Sequence, residues 1–157
     1  MKTRLNATLA LVTCALLTGC ATRTETFDVS VKNDSAQPVT IWLTKTAGPE
    51  QEGWRSPESV AINFEVGDEP IGGVVVPSGQ TAATGKRKGK FDPNSRAVLR
   101  VYKGQMTMSE LLANGSDSPD RSDVILDPGV NDLVVRDAER KLDVRHADEP
   151  APTTATR

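Results

Sequence analysis

Apolar and polar residues alternate along much of the chain, beginning with Phe27, Val29 and Val31 set against Asp28, Ser30 and Lys32. A period of two puts the first set on one face of a strand and the second on the other. Asn33-Asp34-Ser35 supplies turn residues, and Val39, Ile41 and Leu43 then alternate with Thr40, Trp42 and Thr44, so the opening reads as an antiparallel hairpin. Val74-Val75-Val76, the turn Pro77-Ser78-Gly79-Gln80 and Thr81 to Thr84 predict a second hairpin. Val124 to Leu126, the turn Asp127-Pro128-Gly129-Val130 and Leu133 to Val135 predict a third, with Pro then Gly as a type II turn requires.

Between these lie a central-strand candidate and two brief helices. Arg96 to Tyr102 places Ala97, Leu99 and Val101 on one face, while Val98 and Tyr102 partly cover the other. Ser56 is a possible N-cap followed by Pro57 at the first helical position, with Val60, Ala61 and Phe64 as the buried stripe. Gly67 to Gly73 returns the chain to a loop. Thr107-Met108-Ser109-Glu110 fits a capping box, in which hydroxyl and carboxylate satisfy free backbone amides, and predicts a helix from Met108 to Ala113 stopped by Asn114-Gly115. Leu142, Val144 and His146 suggest a last strand, and Asp148 to Arg157 has no large apolar residue to offset its ordering entropy, so that tail is expected to be disordered.

Seven or eight short strands with only two brief helices predict an all-β fold, an antiparallel β-sandwich over residues 27–147. Six aromatic residues are few for its core, so valine, leucine and isoleucine must do most of the packing. The opening hairpin and the Pro-Ser-Gly turn resemble an immunoglobulin-like module, a generic likeness that carries no functional residues with it.

The first residues have a different layout. Lys2 and Arg4 precede an apolar run from Ala7 to Leu17, the charge-then-apolar order of a secretory signal. It is too short to span a bilayer, which needs about 20 apolar residues. Leu17-Thr18-Gly19-Cys20 closes the run, and this segment resembles the lipobox of bacterial lipoproteins. The resemblance covers residues 1–20 and implies cleavage after residue 19, a thioether-linked diacylglycerol on Cys20 and a lipidated tether over residues 20–26. One fatty chain binds a membrane only marginally, at about 0.8 kcal/mol per buried methylene, so two or three chains are needed for durable attachment. In the sorting rule known for such lipoproteins an Asp after the lipidated Cys retains the protein on the inner membrane; Ala21 stands there, which favours the outer membrane, in its periplasmic leaflet, with the cell surface or the outer face of the inner membrane as alternatives.

Charge and cysteine usage narrow the picture. The 19 Lys and Arg residues, less Lys2 and Arg4 of the leader, face 21 Asp and Glu, a net of about −4 in the mature chain. That argues against a general nucleic-acid binder, which would carry a basic surplus. Cys14 leaves with the leader and Cys20 carries lipid, so neither disulfide nor thiol chemistry is expected.

No residue pattern announces catalysis. His146 is the only histidine and ends the final strand without a Gly-x-Ser-x-Gly elbow elsewhere. Asp117, Asp120, Asp123 and Asp127 gather oxygen ligands of the kind calcium takes, but their spacing departs from the EF-hand loop and a solvated loop is the plainer reading. Glu50, Glu52, Glu58, Asp68 and Glu69 could supply a carboxylate pair for glycoside hydrolysis, a chemistry decided by separation in space.

Two features suit binding instead. Lys86-Arg87-Lys88-Gly89-Lys90 is the one dense basic run, suited either to lipid phosphates or another anionic envelope polymer, or merely to a solvated loop that keeps a strand edge soluble. Trp42, on the polar face of its strand, and Trp54, in the long loop, form an exposed patch for a partner or a sugar ring, or else the loop folds back and Trp54 covers Trp42. The sequence thus predicts a non-catalytic, cofactor-free binding or assembly module anchored through Cys20, with Trp42, Trp54, Lys86, Arg87, Lys88 and Lys90 as its binding residues and an envelope protein or anionic polymer as partner. A hydrolase acting on glycan or peptide through paired carboxylates is the rival.

Overall fold

The alternating segments become strands in a computed structural model that describes residues 22–62, 73–139 and 141–149. In chain order the elements are β1 (Arg23–Asn33), β2 (Val39–Lys45), α1 (Pro57–Ile62), β3 (Gly73–Val76), β4 (Thr81–Phe91), β5 (Ala97–Lys103), α2 (Met108–Ala113), β6 (Arg121–Leu126), β7 (Gly129–Asp137) and β8 (Leu142–His146). The residues expected to form a leader, Cys20, Ala21, Phe64, Asp68, Glu69 and the chain beyond Glu149 lie outside the described residues.

Two four-stranded sheets pack face to face as a β-sandwich, ordered β4-β1-β7-β8 in the first and β3-β2-β5-β6 in the second. Phe27, Val29 and Val31 of β1 meet Val39, Ile41 and Leu43 of β2 across the interface, with Leu99 and Val101 of β5 and Leu133 and Val135 of β7 completing the core. Full burial of such side chains contributes about 1.5–3 kcal/mol each. As expected, β5 lies inside its sheet, between β2 and β6. The likeness to immunoglobulin modules is one of sheet packing. In the constant-type arrangement the first strand sits at a sheet edge, whereas here β1 lies between β4, which it pairs antiparallel, and β7, which it pairs in parallel.

The three predicted hairpins are corners between sheets. β1 and β2 belong to opposite sheets, as do β3 and β4, and β6 and β7. Buried asparagines hold these corners. The Asn33 side-chain amide donates to Val76 O at 2.9 Å and Gln37 O at 2.8 Å, and its oxygen accepts from the Ser35 amide at 3.0 Å. Its backbone bonds to Gln80 O at 2.9 Å and accepts from the Gly79 amide at 2.7 Å, so one residue ties the first corner to the second. Asn131 secures the third, donating to Asp127 O at 2.8 Å and accepting from the Asp127 amide at 3.2 Å. Gly129 has a φ of 110°, so the glycine falls at a left-handed position.

β1 begins at Arg23, opposite Phe91, so most of the segment expected as a tether is already strand. β4 continues past Thr84 to Phe91, and the basic run is strand, not loop. Ala147 and Glu149 bond back to Asp132 O and His146 O, so order extends just beyond β8. Both helices form where their caps predicted. Ser56 Oγ accepts from the Ser59 amide at 3.2 Å, and both halves of the Thr107–Glu110 capping box are made. No helix among the described residues is long and apolar enough to cross a membrane.

Candidate functional site

The basic run occupies an edge strand paired on one side only. Lys86, Lys88 and Lys90 lie opposite Asp28, Thr26 and Thr24 of β1, so all three project from the outer face of the first sheet. They are exposed, as is Arg87, and none of the four has an ion-pair partner among the described residues. A bulge sets this register. Gly85 pairs with Val29 and Ala83 with Ser30, leaving Thr84 unpaired, and Gly85 takes a φ of 69° that a side chain would resist. Ala82 thereby keeps its place against the core while the lysines face outward.

Gly89 and Phe91 form the inner side of the same strand, both buried. A Cβ on Gly89 would stand 2.7 Å from the Phe91 ring and 2.9 Å from Trp54, so the glycine in the basic run is where the indole comes to rest. Trp54 packs edge-on against Phe27 at 5.4 Å and Phe91 at 5.1 Å, and its Nε1 donates to Lys88 O at 3.1 Å. The long loop after β2 therefore plugs the sandwich with an aromatic side chain held by the backbone of the basic strand.

The exposed tryptophan patch is a correction. Trp42 is 1% and Trp54 3% exposed. Nor does one cover the other, because Trp54 belongs to the core between the sheets and Trp42 to a second cluster on the far side of β2 with Val60, Tyr102 and Leu111. Val60 comes from α1 and Leu111 from α2, so the two helices cover the face expected to be polar. Trp42 Nε1 donates to Arg55 O at 2.7 Å, which satisfies its one donor as burial demands.

Under the helices sits a group of charges that sequence reasoning missed. Arg100 and Tyr102 on β5 and Arg121 and Asp123 on β6 share the outer face of the second sheet. Arg121 grips Asp123 through two bonds of 2.7 and 2.6 Å and lies 5.8 Å from the Tyr102 ring, as a cation over a π face. Arg100 reaches both oxygens of Glu58 at 2.7 and 2.8 Å, fastening α1 to the sheet. Burial pushes the Glu58 carboxyl up, but hydrogen bonds from Arg100 and Ser56 and the Arg100 charge outweigh it, so its pKa falls below the ordinary value. Burial raises the Tyr102 phenol, against the pull of Arg100 and Arg121, and its hydroxyl has no hydrogen-bond partner among the described residues. The available signal was the period-two spacing that puts Arg100 with Tyr102, and Arg121 with Asp123, on shared faces.

A cleft of about 460 Å³ opens beside β2 and β4, with Ile41, Trp42, Val60 and Val74 among its apolar walls and Glu50, Glu52, Arg55 and Arg87 among its charged ones. Glu50 is engaged by Arg55 at 3.7 Å and accepts from the Ser59 hydroxyl. The acids weighed for glycoside hydrolysis are therefore divided. Glu50 and Glu52 line the cleft, Glu58 is bound by Arg100, and Asp68 and Glu69 are outside the described residues. A proton-donating carboxyl needs a raised pKa, and Glu58 moves the other way. Among the described residues no three His, Cys, Asp or Glu side chains converge as metal ligands, and Asp123 is occupied by Arg121. His146 ends β8 opposite Leu133, half-buried, as expected.

Compared with known proteins, the chain matches no family model, no curated protein and no solved structure.

Proposed function

We propose that the protein is a non-catalytic binding module of a bacterial cell envelope, anchored by lipid on Cys20 to the periplasmic leaflet of the outer membrane. The observation that carries this reading is the closeness of the lipobox to the fold. Cys20 ends Leu17-Thr18-Gly19-Cys20, and β1 is paired from Arg23 onward, so only Ala21 and Thr22 separate a lipidated cysteine from a rigid strand. A chain anchored there presents one fixed side of the sandwich to its surroundings and meets partners at a surface, where confinement raises effective concentration and modest affinity suffices.

Binding is favoured over hydrolysis by the state of the acids. Glu50 and Glu58 are engaged by Arg55 and Arg100, an arrangement that builds structure, and the Arg100 contact holds the Glu58 carboxyl below its ordinary pKa. The surface with charge to spare is β4, whose lysines have no acidic partner among the described residues.

Cys20→Ala tests the anchor. Fatty-acid labelling should vanish and the protein should leave the membrane fraction; labelling and membrane attachment that both persist would overturn the reading. Mass spectrometry of protein from its own cells should find the mature chain starting at a lipid-modified Cys20.

A further inference from the structure

We propose that the outer face of β4, carrying Lys86, Lys88 and Lys90, is the side of the domain that lies against the anionic phospholipid headgroups of the membrane holding Cys20. The proposal rests on the lipid-anchor reading and adds an orientation to it. Strand register carries the argument. β1 and β4 run antiparallel with Thr24 opposite Lys90, Thr26 opposite Lys88 and Asp28 opposite Lys86. The basic strand thus ends beside the residue where the fold begins.

The chain takes three steps from Cys20 to Arg23, a reach of at most about 10 Å when extended. At about 3.4 Å per residue, Lys90 lies one step along the sheet from Arg23 and Lys86 about 17 Å along it. Lys90 is therefore within tether reach of the headgroups, and a strand laid along the membrane brings Lys88 and Lys86 down with it without stretching the attachment. Alternation gives the stripe one direction. Lys86, Lys88 and Lys90 share the outer face, while Gly89 and Phe91 point into the core and Arg87 lies over Gly53 on the cleft side.

Opposing charges are few at that end. Asp28 faces Lys86, half-buried; Glu25 points to the other side of β1 and pairs with Arg23 at 2.9 Å. Thr24 and Thr26, opposite the two lysines nearest the tether, are uncharged and exposed. Lys45, which donates to Lys90 O at 3.1 Å, adds a cation near the same end, with Asp92 as its acidic neighbour. Each basic residue near an anionic surface changes the docking equilibrium constant about fivefold, an effect confined to about a Debye length. An anionic wall polymer would meet the same lysines, but nothing in the register would then favour the tether end, so the membrane is the partner chosen.

The test uses the natively lipidated chain in vesicles of neutral phosphatidylcholine, with or without a third of phosphatidylglycerol. With Cys20 blocked by lipid, Thr26→Cys supplies a single thiol on the proposed contact face, and Ser109→Cys one on the helix side. A fluorophore on either reports distance through quenching by headgroup-labelled lipid. The Thr26 probe should be quenched strongly in phosphatidylglycerol vesicles and at least tenfold less after Lys86→Gln, Lys88→Gln and Lys90→Gln are combined, or in high salt. The Ser109 probe should change little. Equal quenching at both positions, or quenching indifferent to the triple substitution, overturns the proposal. So does binding of a purified anionic wall glycan through these lysines while the Thr26 probe stays unquenched. Flotation with the vesicles is read separately. Protein that fails to float defeats the anchor reading, whereas protein that floats with an unquenched Thr26 probe defeats the orientation alone.

Discussion

The two sheets present their outer faces to different surroundings. On the second sheet, Trp42 and Tyr102 lie under α1 and α2 in a small core of their own, with Val60 and Leu111 above them. On the first, Thr24, Thr26, Lys86, Lys88, Lys90 and Val130 stay exposed. Both sheets are built from alternating strands, so the difference comes from what the connections carry. The segments after β2 and β5 each contain a short amphipathic helix, and neither helix could persist alone at six residues. The second sheet is packed on both sides at its two central strands, with Val75 and Ile125 left exposed on the flanking ones; the first keeps a surface to spare.

That contrast breaks first at Trp42. Trp42→Ala should lower stability by about 3–5 kcal/mol, as removal of a large buried aromatic does. Thr26→Ala on the open face should stay within about 0.5 kcal/mol. Urea midpoints measured side by side would decide the matter, and equal losses would erase the distinction. Gly89→Ala comes next, at about 1–3 kcal/mol, because the added methyl must displace the Phe91 or Trp54 ring. Thermal melting would register it even though the change adds no charge to the basic strand. Thr107→Ala removes the capping hydroxyl of α2 and should destabilise by about 1 kcal/mol, read from the same urea midpoints.

A smaller effect sharpens the comparison through pH. The Glu58 pKa lies below its ordinary value in the folded chain, so its ion pair with Arg100 stabilises the fold above that ordinary value and is lost as pH falls through the lowered one. Half the Glu58 side chain is exposed, which keeps the contribution modest. Urea unfolding followed from neutral pH to about pH 3 should therefore lose slightly more stability in the native chain than in Glu58→Gln. A steeper loss in the variant would reverse the assignment.

Strand positions were legible because a half-buried strand writes its face into every second residue. Phe27 to Val31, Val39 to Leu43 and Ala97 to Val101 all fall where alternation put them. Pairing was not. Asn33-Asp34-Ser35 and Asp127-Pro128-Gly129 are good turn sequences, but whether a turn returns a strand beside its neighbour or lifts it to the opposite sheet depends on distant bonds such as Asn33 to Val76 O. The basic run was obscured by composition, since lysine and glycine are poor strand formers. Its alternation was present in Gly89 and Phe91, inward between outward lysines. Trp42 was misplaced because the strand pattern alone cannot reveal a third layer, though apolar Val98 and Tyr102 on the same side of β5 hinted that this face would be covered. Of the proposed binding residues, the four cations kept an exposed position and the two indoles did not.

The interior place of β1 bears on how the domain resists force. A pull transmitted from the N-terminal side acts along a strand flanked by β4 on one side and β7 on the other. Both ladders are loaded in shear, so many hydrogen bonds must yield together, where an edge strand peeled from its free end would lose its bonds singly. Under the proposed anchor at Cys20, the body would therefore hang from one of its mechanically stronger strands.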